Sequence, residues 1–291
     1  MKHPSHRDTI ELETAEVLAH EAFEGEQYVL RVHAPKCAAG ARAGQFMHLS
    51  CDPLLAMRRP LSIMRVDAAQ GWVDFLYKAV GQGTRLLARR AVGETISLLG
   101  PIGRPFAPDP QRPRALLLGG GVGMPPMIFL AEQMKKLGQH SPLVLLGSEV
   151  PFPFTPRPSR IMVPGMPEGT IGCMPLLEDW GVPSRLASLQ GYPGCFEGYL
   201  TGLAQLWLDA LGETGRREVE IFSCGPHPML EAVAKLAKQY NLPCQVSLEE
   251  YMACAVGGCA GCVVQVRTEK GLAMKRVCVD GPVFDADTVF C

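Results

Sequence analysis

The sequence predicts a multi-domain chain: an N-terminal antiparallel β-barrel, a doubly wound parallel α/β unit and a small C-terminal segment built around cysteines. The first observation is a series of short strands over residues 8–110, with one short helix. The second is a regular alternation of buried strands and helices over residues 113–245. The third is a glycine-rich run of cysteines near the C-terminus. We place the domain boundaries at 1–112, 113–245 and 246–291, because 291 residues exceed one typical domain.

The barrel prediction depends on runs of alternating or β-branched apolar residues, separated by glycine and proline. These runs are TIELETAEVLAHEAF, QYVLRVHA, QFMHLSC, LSIMRVDA, WVDFLYKAV and ETISLLG. A helical insert, TRLLARR, separates the last two runs. Many short strands with a single small helix are typical of an antiparallel barrel.

The α/β prediction depends on continuous apolar runs, which are typical of buried parallel strands. In order, the segments are the strand RALLLGGG, the helix PPMIFLAEQMKKLG, the strands PLVLLGS and VEIFSCG, the helix PHPMLEAVAKLAKQYN and the strand CQVSLE. Between Pro151 and Gly198 the periodicity is weak. There we interpret IMVPG as a strand, MPLLEDWG as a helix and PFPFTPRPSR as an irregular surface loop.

Composition excludes several classes of function. The formal net charge of −1 leaves no basic excess to neutralise phosphates, which argues against a nucleic-acid partner. The polar start MKHPSHRDTIELE predicts no secretory signal, and glycines and prolines interrupt the most apolar stretch, which argues against a membrane span. Eleven cysteines without an export signal indicate a reducing compartment, so we expect a cytoplasmic protein.

Four cysteines form the strongest motif. Cys254, Cys259 and Cys262 follow a C-x4-C-x2-C spacing, and Cys278 follows after fifteen intervening residues, which is the plant-type pattern for a [2Fe-2S] cluster. The glycines between them allow a tight loop around the inorganic core. A structural zinc site or unrelated buried thiols are the alternatives. We expect the cluster to stabilise the short segment 246–291, and we interpret most of the other seven cysteines as small buried apolar residues.

A glycine-rich turn follows the first strand of the α/β unit. It comprises Gly119, Gly120, Gly121, Val122 and Gly123, and a helix that begins with prolines comes next. Such a turn lets backbone N–H groups approach a pyrophosphate. The turn lacks the strict G-x-G-x-x-G spacing, so a purely structural turn is the alternative.

Cys224, Gly225 and Pro226 end the strand VEIFSCG and precede a helix. Ligands of doubly wound sheets bind beyond the carboxyl ends of the strands, so we expect Cys224 in the same crevice as the glycine turn. Hydride transfer needs alignment of two rings rather than an acid or base, which makes Cys224 a candidate catalytic residue beside nicotinamide. A buried structural cysteine is the alternative.

The barrel half carries a second candidate binding site. An arginine lies at the start of one predicted strand, and the short predicted helix begins directly after another strand. A guanidinium and a helix N-terminus can together bind a pyrophosphate. A two-electron hydride donor and a one-electron cluster need an intermediary, which a flavin provides. Solvated basic side chains are the alternative. The residues are Arg59, Pro60, Leu61, Ser62, Leu76, Tyr77, Lys78, Gly83 and Thr84.

The residues together resemble the ferredoxin–NADP reductase superfamily and, within it, the electron-transfer subunits of type B dihydroorotate dehydrogenase. The motif from Arg59 to Ser62 and the loop from Tyr251 to Val263 are similar to that family's flavin and cluster motifs. The resemblance implies FAD, a [2Fe-2S] cluster and NAD(H). It also implies an FMN-containing catalytic subunit as partner, in a heterotetramer with two of each chain, that oxidises dihydroorotate in pyrimidine biosynthesis.

The chain departs from the family after Ser148 and Glu149, near the expected position of the cofactor's adenosine ribose. Glu149 favours NAD over NADP if it faces the ribose. Three alternatives stay open: a small subunit of an NADH-dependent ferredoxin:NADP oxidoreductase or sulfide dehydrogenase, an oxygenase reductase with a C-terminal ferredoxin domain, and a zinc-stapled flavin-binding module without turnover. The oxygenase reductase is disfavoured because its last cysteine would lie further along the chain.

Overall fold

The structure, a computed structural model, describes Asp8 and residues 10–290, and it divides into two compact units. The first unit contains the described residues up to Phe106 together with Leu248–Val283. The second contains Ala107–Ser247 and the described residues from Phe284 onward. The division into three domains stays a prediction, and His3, His6 and Cys291 lie outside the described residues.

A closed six-stranded barrel forms most of the first unit, as predicted. Neighbouring strands are antiparallel, in the spatial order β1-β2-β5-β4-β3-β6. Apolar side chains such as Leu30, Met47 and Phe75 are fully buried, since alternate residues of each strand face the interior. The strands are β1 (Glu11–Phe23), β2 (Gln27–His33), β3 (Phe46–Leu49), β4 (Arg59–Asp67), β5 (Trp72–Lys78) and β6 (Thr95–Ile102).

Two short helices accompany the barrel, although the sequence predicted only one. The predicted helix, α2 (Gln82–Leu87), begins two residues earlier than expected and ends before the two arginines that follow. The additional helix is α1 (Pro35–Gly40), which has a proline in its first turn. Proline is well suited to that position because the first N–H groups of a helix have no partner in the helix.

A seven-stranded sheet forms the centre of the second unit, in the order β12-β11-β8-β7-β13-β14-β17, where β17 is the C-terminal strand Val283–Asp285. All pairs from β12 to β14 are parallel, which confirms the doubly wound α/β class. The strands of this sheet up to β14 are β7 (Arg114–Gly120), β8 (Ser141–Gly147), β11 (Ser184–Ser188), β12 (Phe196–Glu197), β13 (Val219–Cys224) and β14 (Cys244–Ser247). Two further short strands, β9 (Arg157–Pro158) and β10 (Gly172–Cys173), form a separate two-stranded sheet.

Helices connect the strands of this sheet. The two longest end as predicted, at Gly138 and Asn241, which both adopt left-handed backbone conformations that suit a helix C-terminus. The helices are α3 (Met124–Leu137), α4 (Pro175–Asp179), α5 (Leu200–Ala210), α6 (Gly212–Arg216) and α7 (His227–Tyr240).

The stretch between Pro151 and Gly198 differs partly from the prediction. Helix α4 forms where MPLLEDWG predicted it, but the expected strand IMVPG is wrong, because residues 161–165 contain a bend, irregular backbone and a turn instead of a strand. The predicted irregular loop contains the small strand β9, which pairs with β10. Strand β11 was not predicted.

The C-terminal segment contains a two-stranded antiparallel hairpin of β15 and β16, and much of it packs on the barrel. A β-carbon on Gly44 would lie 2.8 Å from Val283 Cγ2, and one on Gly103 would collide with Pro282. The barrel therefore supports this short segment directly. Its elements are β15 (Val263–Thr268), β16 (Gly271–Arg276), α8 (Val277–Asp280), β17 (Val283–Asp285) and α9 (Ala286–Val289).

Among the residues that the structure describes, no helix is long and apolar enough to cross a membrane. Six cysteines besides the four motif cysteines are described, and none of them forms a disulfide. Five of these six are buried and Cys195 is partly exposed, which agrees with their interpretation as small apolar residues.

Candidate functional site

The structure brings Arg59, Gly83 and Thr84 together in the first unit. Arg59 is the first residue of β4, and its guanidinium lies directly against Gly83, where a β-carbon would be 2.7 Å from Nε. Nη1 of Arg59 donates hydrogen bonds to the carbonyl oxygens of Met57 and Arg58, at 2.9 and 3.0 Å. The Gly81 N–H donates to the Thr84 hydroxyl at 3.1 Å, which closes the first turn of α2. A guanidinium held in place beside the first turn of a helix is suited to a diphosphate.

The remaining residues of the flavin motif alternate along β4. Pro60 pairs with His48, Leu61 with Met47 and Ser62 with Phe46 of β3, so Pro60 and Ser62 share one face and Leu61 the other. Leu61 is buried, whereas Pro60 and Ser62 are only partly buried. The face of Pro60 and Ser62 is therefore the one a cofactor can reach.

Tyr77 lies between Leu76 and Lys78 at the end of β5, and both its ring and its hydroxyl have partners within the barrel. Its ring stacks on Tyr28 with centroids 5.4 Å apart, and its hydroxyl lies 2.8 Å from Nε2 of His20. Burial raises the pKa of Tyr77 well above its ordinary value. Because the ring and hydroxyl already have partners, a cofactor contact at Tyr77 falls to its backbone.

The cysteine loop directs backbone N–H groups at its own sulfurs. Gly258 and Cys259 donate to Cys254 Sγ at 3.2 and 3.4 Å, and Gly261 donates to Cys259 Sγ at 3.4 Å. Hydrogen bonds of this kind stabilise thiolates, which are the form of cysteine that binds metals. The loop turns tightly at Gly257, where φ is 85°.

The fourth cysteine is held near the third by the backbone. The Val277 N–H donates to the Cys262 carbonyl at 2.9 Å, and the Cys278 N–H lies 3.5 Å from Cys262 Sγ. Strand β15 begins directly after Cys262 and helix α8 contains Cys278, so the hairpin between them returns the chain to the loop. A gap of fifteen residues in sequence thus becomes a contact.

The thiols differ in their tendency to ionise. Burial opposes ionisation of Cys254, but N–H groups of Cys259, Val256 and Gly258 outweigh it and lower its pKa to about 7. Burial and the neighbouring Cys262 thiol raise the pKa of Cys278 to about 12. Within the described part of the chain, no three His, Cys, Asp or Glu side chains are grouped so as to hold a single metal ion. Four cysteines with N–H donors fit a [2Fe-2S] cluster, in which two irons share four thiolates.

In the second unit, the glycine turn and the Cys224 turn pack directly against each other. They follow the adjacent parallel strands β7 and β13, in which Gly119 pairs with Cys224. A β-carbon on Gly123 would collide with the Cys224 carbonyl and lie 2.6 Å from the Gly225 nitrogen. Gly121–Gly123 form a single 3-10 turn that leads into α3. Only glycine allows these two turns to approach so closely.

Met229 of α7 covers both turns. A β-carbon on Gly225 would lie 2.8 Å from its sulfur, and one on Gly120 would collide with it. Cys224 itself is fully buried, whereas Pro226 is exposed at the start of α7. Glu149 is exposed after strand β8, and Ser148 beside it accepts a hydrogen bond at its carbonyl from the Ser188 hydroxyl at 2.7 Å.

The sequence analysis missed two residues near these sites. Met229 belongs to the apolar pattern of α7 and carries no signal of its own. His48 is a single imidazole in the buried strand β3, and neither ring nitrogen has a hydrogen-bond partner. An isolated polar residue in an apolar run was the available signal.

The fold defines the class of protein. The chain matches a solved structure of an NADH-dependent reduced ferredoxin-NADP oxidoreductase with TM-score 0.74 and 24% identity, over 94% of this chain and 89% of that one. Phthalate dioxygenase reductase matches with TM-score 0.57 and 13% identity, over 91% and 76%. At such identities the likeness shows the fold alone, which this chain shares with these two reductases.

The iron–sulfur cluster binding domain of dihydroorotate dehydrogenase B matches residues 249–290. The "Dihydroorotate dehydrogenase B (NAD(+)), electron transfer subunit" of Bacillus caldolyticus is 36% identical, over 84% of this chain and 86% of its own. That of Desulforamulus reducens is 30% identical, over 93% and 95%. The chain belongs to the family of dihydroorotate dehydrogenase B electron transfer subunits.

Proposed function

We propose that this chain relays electrons between NAD(H) and an FMN-containing dihydroorotate dehydrogenase catalytic subunit, through FAD and a [2Fe-2S] cluster, in de novo pyrimidine biosynthesis. The observation that carries the proposal is that the flavin motif around Arg59 and the four cysteines belong to one compact unit. The names of the curated relatives, which specify electron transfer and NAD(+), support it.

In this proposal the barrel binds FAD. The Arg59 guanidinium pairs with the diphosphate, Gly83 leaves room for that guanidinium, and Thr84 fixes the turn beside it. When bound, FAD exchanges a hydride with nicotinamide and single electrons with a cluster. The other residues assigned to this site are Pro60, Leu61, Ser62, Leu76, Tyr77 and Lys78.

The second unit binds the nicotinamide cofactor in the proposal. Backbone N–H groups of Gly119–Gly123 receive the pyrophosphate, and Gly225 and Pro226 border the same site. Cys224 is assigned as the residue beside nicotinamide, where a small side chain permits ring alignment. The exposed carboxylate of Glu149 would repel a 2′-phosphate, which favours NAD over NADP.

The thiolates of Cys254, Cys259, Cys262 and Cys278 are assigned as the cluster ligands. We further propose a heterotetramer with two copies of each subunit, acting in the cytoplasm, where a chain with eleven cysteines stays reduced. Analytical ultracentrifugation of the co-purified complex measures that stoichiometry, and a mass of one copy of each chain contradicts it.

The test of the relay uses Cys259→Ser, with Cys195→Ser as a matched control. Cys259 is exposed in the loop, and Cys195 is a partly exposed cysteine in the second unit. We expect NADH to reduce the flavin of both variants, measured by bleaching of the visible band. Only Cys195→Ser should pass those electrons to the FMN-bearing partner. Undiminished transfer by Cys259→Ser contradicts the relay.

The same preparation separates the alternatives. Recovery with a glutamate-synthase-like flavoprotein, instead of an FMN-binding dihydroorotate oxidase, favours the ferredoxin:NADP oxidoreductase alternative. A purified protein with zinc and no iron favours the module without turnover.

A further inference from the structure

His48 is a buried polar side chain whose ring nitrogens lack partners. It lies in β3 of the first unit and is 1% exposed, yet neither nitrogen has a hydrogen bond. Buried polar groups in folded proteins are almost always hydrogen-bonded, and leaving one unsatisfied costs about 1–3 kcal/mol. An apolar residue at position 48 would avoid that cost, so packing alone does not explain why a histidine is present there.

The strand register places His48 on the outer face of the barrel. Its neighbours Met47 and Leu49 are fully buried inside, whereas His48 pairs with Pro60 on one side and Leu99 on the other. Those two partners are only partly buried. His48 is nevertheless almost inaccessible, so something beyond the barrel strands covers it.

One backbone group near the imidazole belongs to the segment that carries the cysteines. The backbone of Met252, two residues before Cys254, faces the imidazole from that segment. The backbone of Arg58 faces it from the start of the flavin strand, and the charges of Arg58 and Arg59 act on it. His48 thus lies near two backbone groups, one directly before the flavin motif and one two residues before the first motif cysteine.

The imidazole is neutral in this position. Burial, reinforced by the positive charges of Arg58 and Arg59, lowers the pKa of His48 to about 4. A neutral imidazole has one N–H donor and one acceptor nitrogen, which suits it to a hydrogen bond with a backbone group without placing a charge beside the redox centres.

We propose that His48 is a positioning residue for electron transfer, whose imidazole bonds to the backbone at Met252 in the holoprotein and holds the cysteine segment against the flavin strand. The inference rests on the proposed relay and adds a residue to it. It assigns His48 no contact with the reacting atoms.

Three variants of the full-length holoprotein test this proposal. His48→Phe keeps a planar ring and removes both nitrogens, and His48→Gln keeps a donor and an acceptor. Met47→Leu is the control, because Met47 is the adjacent buried residue on the opposite face of β3. FAD and iron content, the electron paramagnetic resonance spectrum of the dithionite-reduced cluster, and release of iron to a chelator are measured for each.

We expect His48→Phe to keep its FAD and to lose iron to the chelator about fivefold to tenfold faster, the factor that corresponds to one buried hydrogen bond. Its resonance spectrum should be broadened or shifted. His48→Gln should recover most of the difference, and Met47→Leu should match the unmodified protein. In single-turnover mixing with NADH, flavin reduction by His48→Phe should stay within about twofold of the unmodified rate, while cluster reduction slows.

Unchanged iron release and spectrum in His48→Phe overturn the proposal, and so does a His48→Gln variant as impaired as His48→Phe. If His48→Phe yields no holoprotein, His48→Leu replaces it with the same expectations. Failure of the proposed relay has a different signature, because the unmodified protein then fails to reduce its partner. Chelator resistance and the spectrum still compare the His48 variants in that case.

Discussion

The guanidinium of Arg59 occupies the space that a side chain at position 83 would need. A β-carbon on Gly83 would lie 2.7 Å from Nε, 2.9 Å from Cζ and 3.0 Å from Nη2 of Arg59. The position of the Arg59 guanidinium therefore depends on the absence of a side chain at Gly83, although the two residues are 24 positions apart in sequence. That relationship provides a direct test of the flavin site.

We predict that Gly83→Ala weakens FAD binding without unfolding the barrel. The colliding atoms are the tip of a flexible side chain, so the guanidinium moves away and the charge no longer meets the diphosphate. Loss of a charge-assisted hydrogen bond costs about 1.5–3 kcal/mol, or roughly tenfold to hundredfold in the dissociation constant. Fluorescence titration of the flavin-free protein with FAD measures it.

The matched control for this experiment is Gly81→Ala, two residues earlier at the N-cap of α2. A β-carbon at Gly81 meets no atom within 4 Å, and its backbone is extended. This variant should bind FAD as the unmodified protein does. Equal affinities for Gly83→Ala and Gly81→Ala would show that Arg59 does not hold the cofactor.

The cysteine loop offers a second matched pair in adjacent residues. Gly257 has a φ of 85°, and a β-carbon there would lie 2.5 Å from Val279 Cγ2, next to Cys278. Gly258 has no atom within 4 Å of such a β-carbon. We predict that Gly257→Ala lowers the iron and sulfide content per chain by at least about half, because left-handed strain of about 1–2 kcal/mol adds to the collision. Gly258→Ala should keep its full content.

Iron and acid-labile sulfide assays, with the visible spectrum of the purified protein, measure this difference. The two alanine variants have the same composition, so a general effect of lost glycine would reduce both. Iron loss of the same size in Gly258→Ala contradicts the assignment of the tight turn to Gly257.

The barrel and the α/β alternation were predictable because both depend on local periodicity. The glycine motifs were also recognisable, since glycine marks close approach in any fold. Strand β11 was not recognisable, because Ser184, Arg185 and Ser188 give it a polar sequence. Two of its polar side chains bond to distant partners: Arg185 donates to the Ile161 carbonyl at 2.7 Å, and Ser188 donates to the Ser148 carbonyl. Hydrogen bonds between residues so far apart in sequence cannot be predicted from a local pattern.

Helix α5 was missed for a different reason. Its buried residues Leu200, Leu203, Ala204, Trp207 and Leu208 follow helical spacing in the sequence. The sequence analysis assigned no element between Gly198 and the strand VEIFSCG, so this helix was not predicted. The support that the barrel gives to the C-terminal segment, by contrast, depends on contacts between residues far apart in sequence, which periodicity cannot predict.

The two turns of the nucleotide unit make Gly123 sensitive to any side chain. Because the colliding atoms belong to the backbone at Cys224 and Gly225, neither turn can yield without separating the ends of β7 and β13. We predict that Gly123→Ala lowers the free energy of unfolding by about 1–3 kcal/mol, measured by chemical denaturation. It should also abolish flavin reduction by NADH.

Gly202→Ala is the control in the same unit. Its β-carbon would lie 3.6 Å from the Phe196 ring, an ordinary contact, within helix α5. Alanine in a helix is favoured over glycine by about 0.5–1 kcal/mol, so this variant should be as stable as the unmodified protein or more stable. Unaltered stability of Gly123→Ala would contradict the close contact between the glycine turn and the Cys224 turn.

The contact between Gly225 and Met229 predicts a recoverable defect. A β-carbon on Gly225 would lie 2.8 Å from the Met229 sulfur, but that sulfur is the mobile end of a flexible side chain. We expect Gly225→Ala to weaken NADH binding about tenfold by pushing the thioether into the space beside the glycine turn. Removing the thioether in Gly225→Ala/Met229→Ala should restore most of the affinity, with a coupling energy of about 1 kcal/mol. Isothermal titration calorimetry with NADH of the unmodified protein, the two single variants and the double variant completes this double-mutant cycle. If the double variant binds as weakly as Gly225→Ala, the added methyl group acts on the ligand itself, and Met229 has no part in the defect.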